Sequence, residues 1–141
     1  MVRSIFESEA EALVNPVNCV GVMGKGLAKD FAVTFPEMLH SYILACRKGF
    51  NPGELHIWKT ESGKYIINFP TKIHWRDPSK FEYIVKGLEG LLETCQKMGI
   101  NSIAIPALGC GLGQLDWPTV KDLILKQFDG TGIEIDLYEP Q

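Results

Sequence analysis

Three short stretches of this chain carry the residue types that could do chemistry. The first, NCVGVMGKGLA, runs from Asn18 to Ala28 and contains Gly21, Gly24 and Gly26. The second, GCGLG, alternates Gly109, Gly111 and Gly113 with Cys110 and Leu112. The third, NFPTKIHWR, places Lys72 just past an apolar run of Tyr65, Ile66, Ile67 and Phe69. Glycine lets a ligand approach the backbone with no Cβ in the way. A helix that starts at such a loop aims its free N–H groups and the positive end of its dipole back at it, a combination that binds phosphate. For the first loop alone, a turn that merely needs positive φ explains the glycines as well. Two such loops, each after a strand and before a helix, make a cradle suited to a diphosphate. Six glycines in two loops are also expensive in backbone entropy, so the pair favours the anion-binding reading. The spacing is neither the dinucleotide fingerprint GxGxxG nor the phosphate loop GxxxxGK[ST].

Around these loops stand the candidate side chains. A lysine at a strand end is usually solvated. Here the apolar strand and Trp75 would desolvate Lys72, lower its pKa and leave a nucleophilic amine, while a nearby diphosphate would pull the other way. Asn18 opens the first loop, and an amide with donor and acceptor suits a ribose diol. Asn15 reads instead as a local cap or turn. His74, Trp75, Arg76 and Lys80 form a local basic and aromatic patch that would contact a nucleic-acid strand by charge and stacking. Each also has a plainer reading: His74 as a surface histidine beside a tryptophan, Lys80 as a first-turn helix residue. Cys19 and Cys110 sit beside the glycine loops with no patterned histidine nearby, and read as packing thiols.

The elements that must position these residues alternate. EALVNPV reads as a buried strand, GKGLAKDFAVTF and PEMLHSYILACRKGF as two helices divided by Pro36. ELHIWKT and KYIINFP flank ESG as a hairpin. KFEYIVKGLEGLLETCQKMG is a long amphipathic helix, with Ser79 and Glu82 in the spacing of a capping box. SIAIPAL is a buried strand, TVKDLILKQF a helix and IEIDLYEP a last strand. Helices between apolar strand runs imply an α/β fold, three-layered (α/β/α), with a mixed, mostly parallel sheet of five to six strands. In such sheets ligands bind beyond the carboxyl ends of the strands.

The bulk properties bound the function. The 141 residues suit one domain, 1–141, and 45% hydrophobic with 22% charged residues is an ordinary soluble balance. No run approaches a membrane span and the start lacks an export signal, so the cytoplasm is the expected location and the four cysteines are expected to be reduced. A net charge of -3 argues against a broad electrostatic grip on nucleic acid. No metal-ligand pattern is present, and no cofactor or metal is expected.

ALVNPVN leading into GVMGKGLA, and SIAIPALGCGLGQLDW before the last helix, resemble the macrodomain family of ADP-ribose-binding modules over nearly the whole chain. With NFPTKIHWRDPS, the resemblance is to one branch, the antitoxin DNA ADP-ribosyl glycohydrolases (DarG type). It implies a cleft that holds ADP-ribose, with the diphosphate between the two glycine loops. Asn18 matches the asparagine facing the distal ribose. Lys72 matches the catalytic lysine, which attacks C1″ or stabilises the opening sugar, a Schiff base being one route. The ligand-contacting set it implies is Ser4, Ile5, Cys19, Gly21, Val22, Met23, Gly24, Gly26, Thr71 and Gly109 through Cys110, Gly111, Leu112 to Gly113. Two departures stand out. Where the family has a Gly-Asp pair that reads adenine, this chain has Arg3-Ser4, so adenine recognition is weakened or rests on the backbone of Ile5. The family's first strand is expected to be short or missing. A sister branch that acts on proteins has an aspartate where this chain has Gly113, and Asp116 lies too far along the loop to replace it.

The expected activity is hydrolysis of the bond between ADP-ribose and a nucleobase, thymine, in single-stranded DNA. The expected partners are ADP-ribose, ADP-ribosylated single-stranded DNA and a cognate ADP-ribosyltransferase toxin, with no membrane. The further domain that binds the toxin in full antitoxins is not in these residues. The alternatives are a reader that only binds ADP-ribose, or a hydrolase of protein-linked ADP-ribose esters or of ADP-ribose 1″-phosphate.

Overall fold

A computed structural model describes residues 4–140. Five strands form one sheet in the order β2-β3-β1-β4-β5: β1 (Ala12–Val17), β2 (His56–Lys59), β3 (Tyr65–Pro70), β4 (Ser102–Ile105) and β5 (Glu134–Leu137). β1 pairs in parallel with β3 and β4, and β4 with β5, while β2 runs antiparallel to β3 as the expected hairpin. Four helices cover the sheet: α1 (Gly26–Thr34), α2 (Pro36–Arg47), α3 (Phe81–Met98) and α4 (Trp117–Phe128).

The strands are apolar on both sides because both faces are covered, and the period of two sorts their side chains between two cores. Ala12, Val14, Ile67, Phe69, Ile103 and Ile105 pack with Ile84, Leu88 and Leu91 of α3 and with Val120 and Ile124 of α4. Leu13, Val17, Ile66 and Ala104 turn the other way, toward Phe31 of α1 and toward Met38 and Tyr42 of α2. This is the three-layer α/β/α arrangement with a five-stranded, mostly parallel sheet. The 3-10 turn Ile5–Glu7 precedes β1. Arg3 and the residues before it lie outside the described residues.

Two expectations change. Ser79 does not cap α3. Lys80 occupies the cap position without a side-chain cap bond, and Ser79 is buried behind it with its N–H donating to the Gly113 carbonyl at 3.0 Å. Among the described residues Ser79 Oγ, the atom a cap would use, has no hydrogen-bond partner, because the residue is held one position outside the cap by this tertiary tie. Asn15 is neither a cap nor a turn: it lies inside β1, opposite Asn68 of β3, and its Nδ2 donates to Asn68 Oδ1 at 3.0 Å. Asn68 passes the chain on to His56 Nδ1 at 2.9 Å, and His56 Nε2 meets Ser41 Oγ at 2.9 Å. A buried amide pair thus sits where an apolar pair would be expected, satisfied largely across the sheet.

Because β1, β3 and β4 are parallel, their carboxyl ends share one rim of the sheet, with Val17 in register with Pro70. The three stretches that carry the chemistry emerge there together.

Candidate active site

Hydrogen bonds tie the three loops side by side. The Thr71 N–H donates to the Val17 carbonyl at 2.9 Å, and the Cys19 N–H to the Ile73 carbonyl at 2.8 Å, joining the lysine loop to the first glycine loop. The Ser79–Gly113 bond joins it to the second. A Cβ built on Gly26 would lie 3.9 Å from Leu112 Cδ1, so the two glycine loops touch at that point. Leu112 is 64% exposed and stands over the start of α1.

Backbone donors are left free on both loops. Among the described residues, the N–H groups of Met23, Gly24, Gly26, Leu27 and Ala28 have no acceptor, nor do those of Gly109, Gly111, Leu112 and Gly113. The first set includes the opening turn of α1, whose cap residue Lys25 gives it no side-chain bond. α4 differs: Asp116 caps it, accepting from the Thr119 N–H at 3.2 Å and from Thr119 Oγ1 at 2.6 Å. Asp116 is therefore occupied at its helix and is no stand-in for a loop aspartate.

The glycines separate by cause. Gly21, Gly26 and Gly109 have φ between +60° and +82°, the left-handed region that a side chain disfavours. A Cβ on Gly113 would lie 2.2 Å from Ser79 Oγ and 2.5 Å from the Gly109 carbonyl, so packing forbids any side chain there. Gly24 and Gly111 have neither reason. Gly111 has nothing within 4 Å of a Cβ, and Gly24 only Val22 Cγ1 at 3.6 Å. These two are bare toward solvent for no reason internal to the fold.

Lys72 is half-buried at the head of the third loop, and Nζ donates to the Trp75 carbonyl at 3.3 Å. Burial holds its pKa below the ordinary lysine value, against the charge of Asp77. Asn18 is buried, and its amide is partly spent on the loop. Oδ1 accepts from the Val20 N–H at 3.1 Å, the Val22 N–H at 3.4 Å and the Tyr42 hydroxyl at 2.8 Å, while Nδ2 donates to the Val22 carbonyl at 2.8 Å. The expectation of a donor and an acceptor for a diol is thus corrected. The acceptor is filled by three donors, and one N–H of Nδ2 remains.

The other expected contacts divide. Met23 and Thr71 are buried, Met23 with its sulfur 3.7 Å from Asn15 Nδ2, so the free N–H group is what Met23 offers a ligand. Cys19 and Cys110 use their N–H groups within the loops. Burial pushes their thiols up to about 12 and about 11, which keeps them protonated and fits packing. Val22 is an exposed apolar wall. Ile5 is buried in the same cluster as Cys19, Met23 and Phe31, while Ser4 caps the first turn and lines a surface hollow with Asp136 and Tyr138. In the patch, the His74 and Trp75 rings lie 5.0 Å apart, and the Arg76 guanidinium sits 4.8 Å from the Trp75 ring centre. His74 Nδ1 accepts from the Arg76 N–H at 3.1 Å. Lys80 lies instead over Tyr83, at 5.6 Å. Sequence reasoning missed Tyr42 and read Ser79 only as a helix cap. The only signal for Tyr42 was a phenol one turn from Met38 on the buried face of α2, where a hydroxyl must find a partner.

The chain matches the Macro domain family over residues 14–124. It is 43% identical to the DNA ADP-ribosyl glycohydrolase of Thermus aquaticus over 97% of its own length and 39% of that protein's. It therefore spans about two fifths of the length of the DNA ADP-ribosyl glycohydrolases it matches. Its fold superposes on the macrodomain of Mycobacterium tuberculosis DarG with a TM-score of 0.96 and 42% identity, covering 100% of this chain and 96% of that one. It superposes on Thermosipho africanus DarTG in complex with ADP-ribose with a TM-score of 0.91 and 36% identity, covering 97% of this chain and 40% of that one. With this match across the rim loops and the sheet alike, the chain belongs to the macrodomain family.

Proposed function

We propose that this chain is a DNA ADP-ribosyl glycohydrolase that frees a nucleobase, thymine, in single-stranded DNA from ADP-ribose, with Lys72 as the reactive amine. The observation that carries the reading is the seating of Lys72 on the same rim as both glycine loops, bonded to each through its own loop. The names of the similar glycohydrolases and the ADP-ribose complex of DarTG support the same substrate class. Free N–H groups of Met23, Gly24 and the α1 start lie on the same rim as those of Gly109, Gly111, Leu112 and Gly113, and together they would hold the two phosphates. The remaining N–H of Asn18 would orient the distal ribose. The neutral amine of Lys72 adds to C1″, the bond from C1″ to the base nitrogen breaks with its electron pair going to the base, and the base takes the proton that the alkylated amine sheds. Water then displaces the lysine from C1″ and restores the amine. Opening of the sugar and a Schiff base at C1″ is the variant route. Trp75 and Arg76 offer a stacking and phosphate contact for the strand. An ADP-ribosyltransferase that makes the modified base is the partner class this reading requires.

The test is a panel of ADP-ribosylated oligonucleotide, ADP-ribosylated glutamate peptide and ADP-ribose 1″-phosphate, with wild type and Lys72→Ala. Release from the oligonucleotide is expected, lost by about a hundredfold or more in Lys72→Ala with ADP-ribose affinity retained. Binding without release would make the chain a reader. Release from the peptide or the 1″-phosphate alone would move it to another hydrolase class.

A further inference from the structure

We infer that Tyr42 of α2 is a positioning residue for the reaction, fixing through its hydroxyl which face of the Asn18 amide meets the ligand. The inference rests on the reading that Asn18 orients the distal ribose. Tyr42 is fully buried in the core beneath the first glycine loop, and its hydroxyl lies 2.8 Å from both the backbone carbonyl and Oδ1 of Asn18. One proton is thus shared between two oxygens of one residue. The hydroxyl and two backbone N–H groups, those of Val20 and Val22, converge on the same amide atom. Three donors meeting at one atom require it to be the oxygen. The nitrogen is thereby turned to the Val22 carbonyl, and its second N–H is the group left for a ligand.

Tyr42 makes the shortest of the contacts to Oδ1. Without it, Oδ1 keeps only the 3.1 Å and 3.4 Å contacts, both from a loop that Asn18 itself shapes. A small misplacement of an orienting group lowers turnover far more than it lowers ligand affinity when the affinity resides elsewhere. Here the free backbone donors of the glycine loops would carry the affinity. Tyr42 touches no ligand in this scheme; its hydroxyl also meets the Cys46 thiol and the Gly21 backbone, so the part that runs through Asn18 is the part lost in the Asn18→Ala background. Its ring is held independently, edge-on to Phe50 with centres 6.3 Å apart and against the His56 ring at 6.3 Å, so Tyr42→Phe leaves the packing in place.

The experiment is a double-mutant cycle of wild type, Tyr42→Phe, Asn18→Ala and the double variant. It reads kcat and KM on an ADP-ribosylated single-stranded oligonucleotide, the ADP-ribose Kd and the melting temperature. Phe50→Leu serves as a control that loosens the same cluster without touching the hydroxyl. Tyr42→Phe is expected to lower kcat about tenfold with ADP-ribose Kd within about twofold, and to have no further effect once Asn18 is alanine. Phe50→Leu is expected to lower the melting temperature with kcat retained. A Tyr42→Phe defect of equal size in both Asn18 backgrounds overturns the inference, as does a kcat loss in Phe50→Leu matching its stability loss. Wild-type turnover in Asn18→Ala overturns the Asn18 reading and this inference with it, which separates the two failures. Should Tyr42→Phe lose its cooperative melt, the wild type still decides by proton NMR. A slowly exchanging Tyr42 hydroxyl resonance that moves on adding ADP-ribose supports the role, and a hydroxyl proton exchanging at the solvent rate overturns it.

Discussion

At the scale of single residues, the site is built from groups whose chemistry depends on what their neighbours leave unused. Lys72 is an amine whose pKa partial burial lowers, with Asp77 opposing, so that a larger share of it is neutral at a given pH. The sign is direct. A depressed pKa means the neutral amine of the ligand-free protein fills at lower pH than in a free lysine, so kcat/KM is expected to rise with pH and level off below the ordinary lysine value of about 10.4. A pH profile of single-turnover release checks it, and a rise still continuing at that value would sink the nucleophile assignment. The glycines give a second prediction because their reasons differ. Gly111→Ala places its Cβ in open space, so the melting temperature is expected to hold while ADP-ribose affinity falls about tenfold, the methyl standing where a phosphate approaches. Gly113→Ala collides with Ser79 Oγ and with the Gly109 backbone, which cannot move aside as a side-chain tip can. About 1–3 kcal/mol of overpacking is expected, a drop of roughly 3–10 °C in Tm. Calorimetry of both variants, with and without ADP-ribose, separates the two.

Among the elements, what was legible in the sequence is what local pattern alone decides. The strands of β1, β3 and β4 showed as continuous apolar runs because both faces are buried, and α3 showed as an apolar stripe because one face is. Ser79 and Glu82 had the spacing of a capping box, but a carbonyl from a loop far along the chain claimed the Ser79 N–H. Asn15 looked like turn chemistry because the partner that makes it strand chemistry, Asn68, lies on another strand. Gly87 shows the same dependence on distant partners. A glycine inside a helix costs about 1 kcal/mol of helix propensity. In the fold it lets α3 lie directly on β3, where a Cβ would fall 2.2 Å from the Phe69 ring. Gly87→Ala should therefore destabilise, overpacking of about 1–3 kcal/mol outweighing the roughly 1 kcal/mol gained in helix propensity. A rise in the chemical-denaturation midpoint would show that the helix can lift off the sheet at little cost. The candidate site was legible in part for the same reason. Glycine spacing and Lys72 are local signals, whereas the filled acceptor of Asn18 depends on Tyr42, which the sequence places a helix away.

For the whole molecule, a net charge of -3 sets a limit on how a DNA strand can be held. On the proposed reading, a chain of this net charge gathers nucleic acid weakly, so the ADP-ribose moiety would supply most of the affinity and the strand would rest on the local patch of His74, Trp75, Arg76 and Lys80. Of its two cations, Arg76 lies against Trp75 and Lys80 against Tyr83. Two phosphates at most would then be neutralised. For a single strand the slope of log K against log salt is about -0.7 per phosphate, so a slope no steeper than roughly -1.4 is expected for a modified oligonucleotide. Unmodified strand should bind too weakly to compete, and Arg76→Ala with Lys80→Ala should flatten the slope while leaving the affinity for free ADP-ribose unchanged. Trp75→Ala should lower oligonucleotide affinity with no change in slope, because stacking releases no counterions. Anisotropy titrations between 50 and 200 mM salt (order-of-magnitude bounds of the range where such slopes are linear) measure all three. A slope steeper than about -3 would require more phosphate contacts than this patch holds, and would put the path of the strand on another face of the protein.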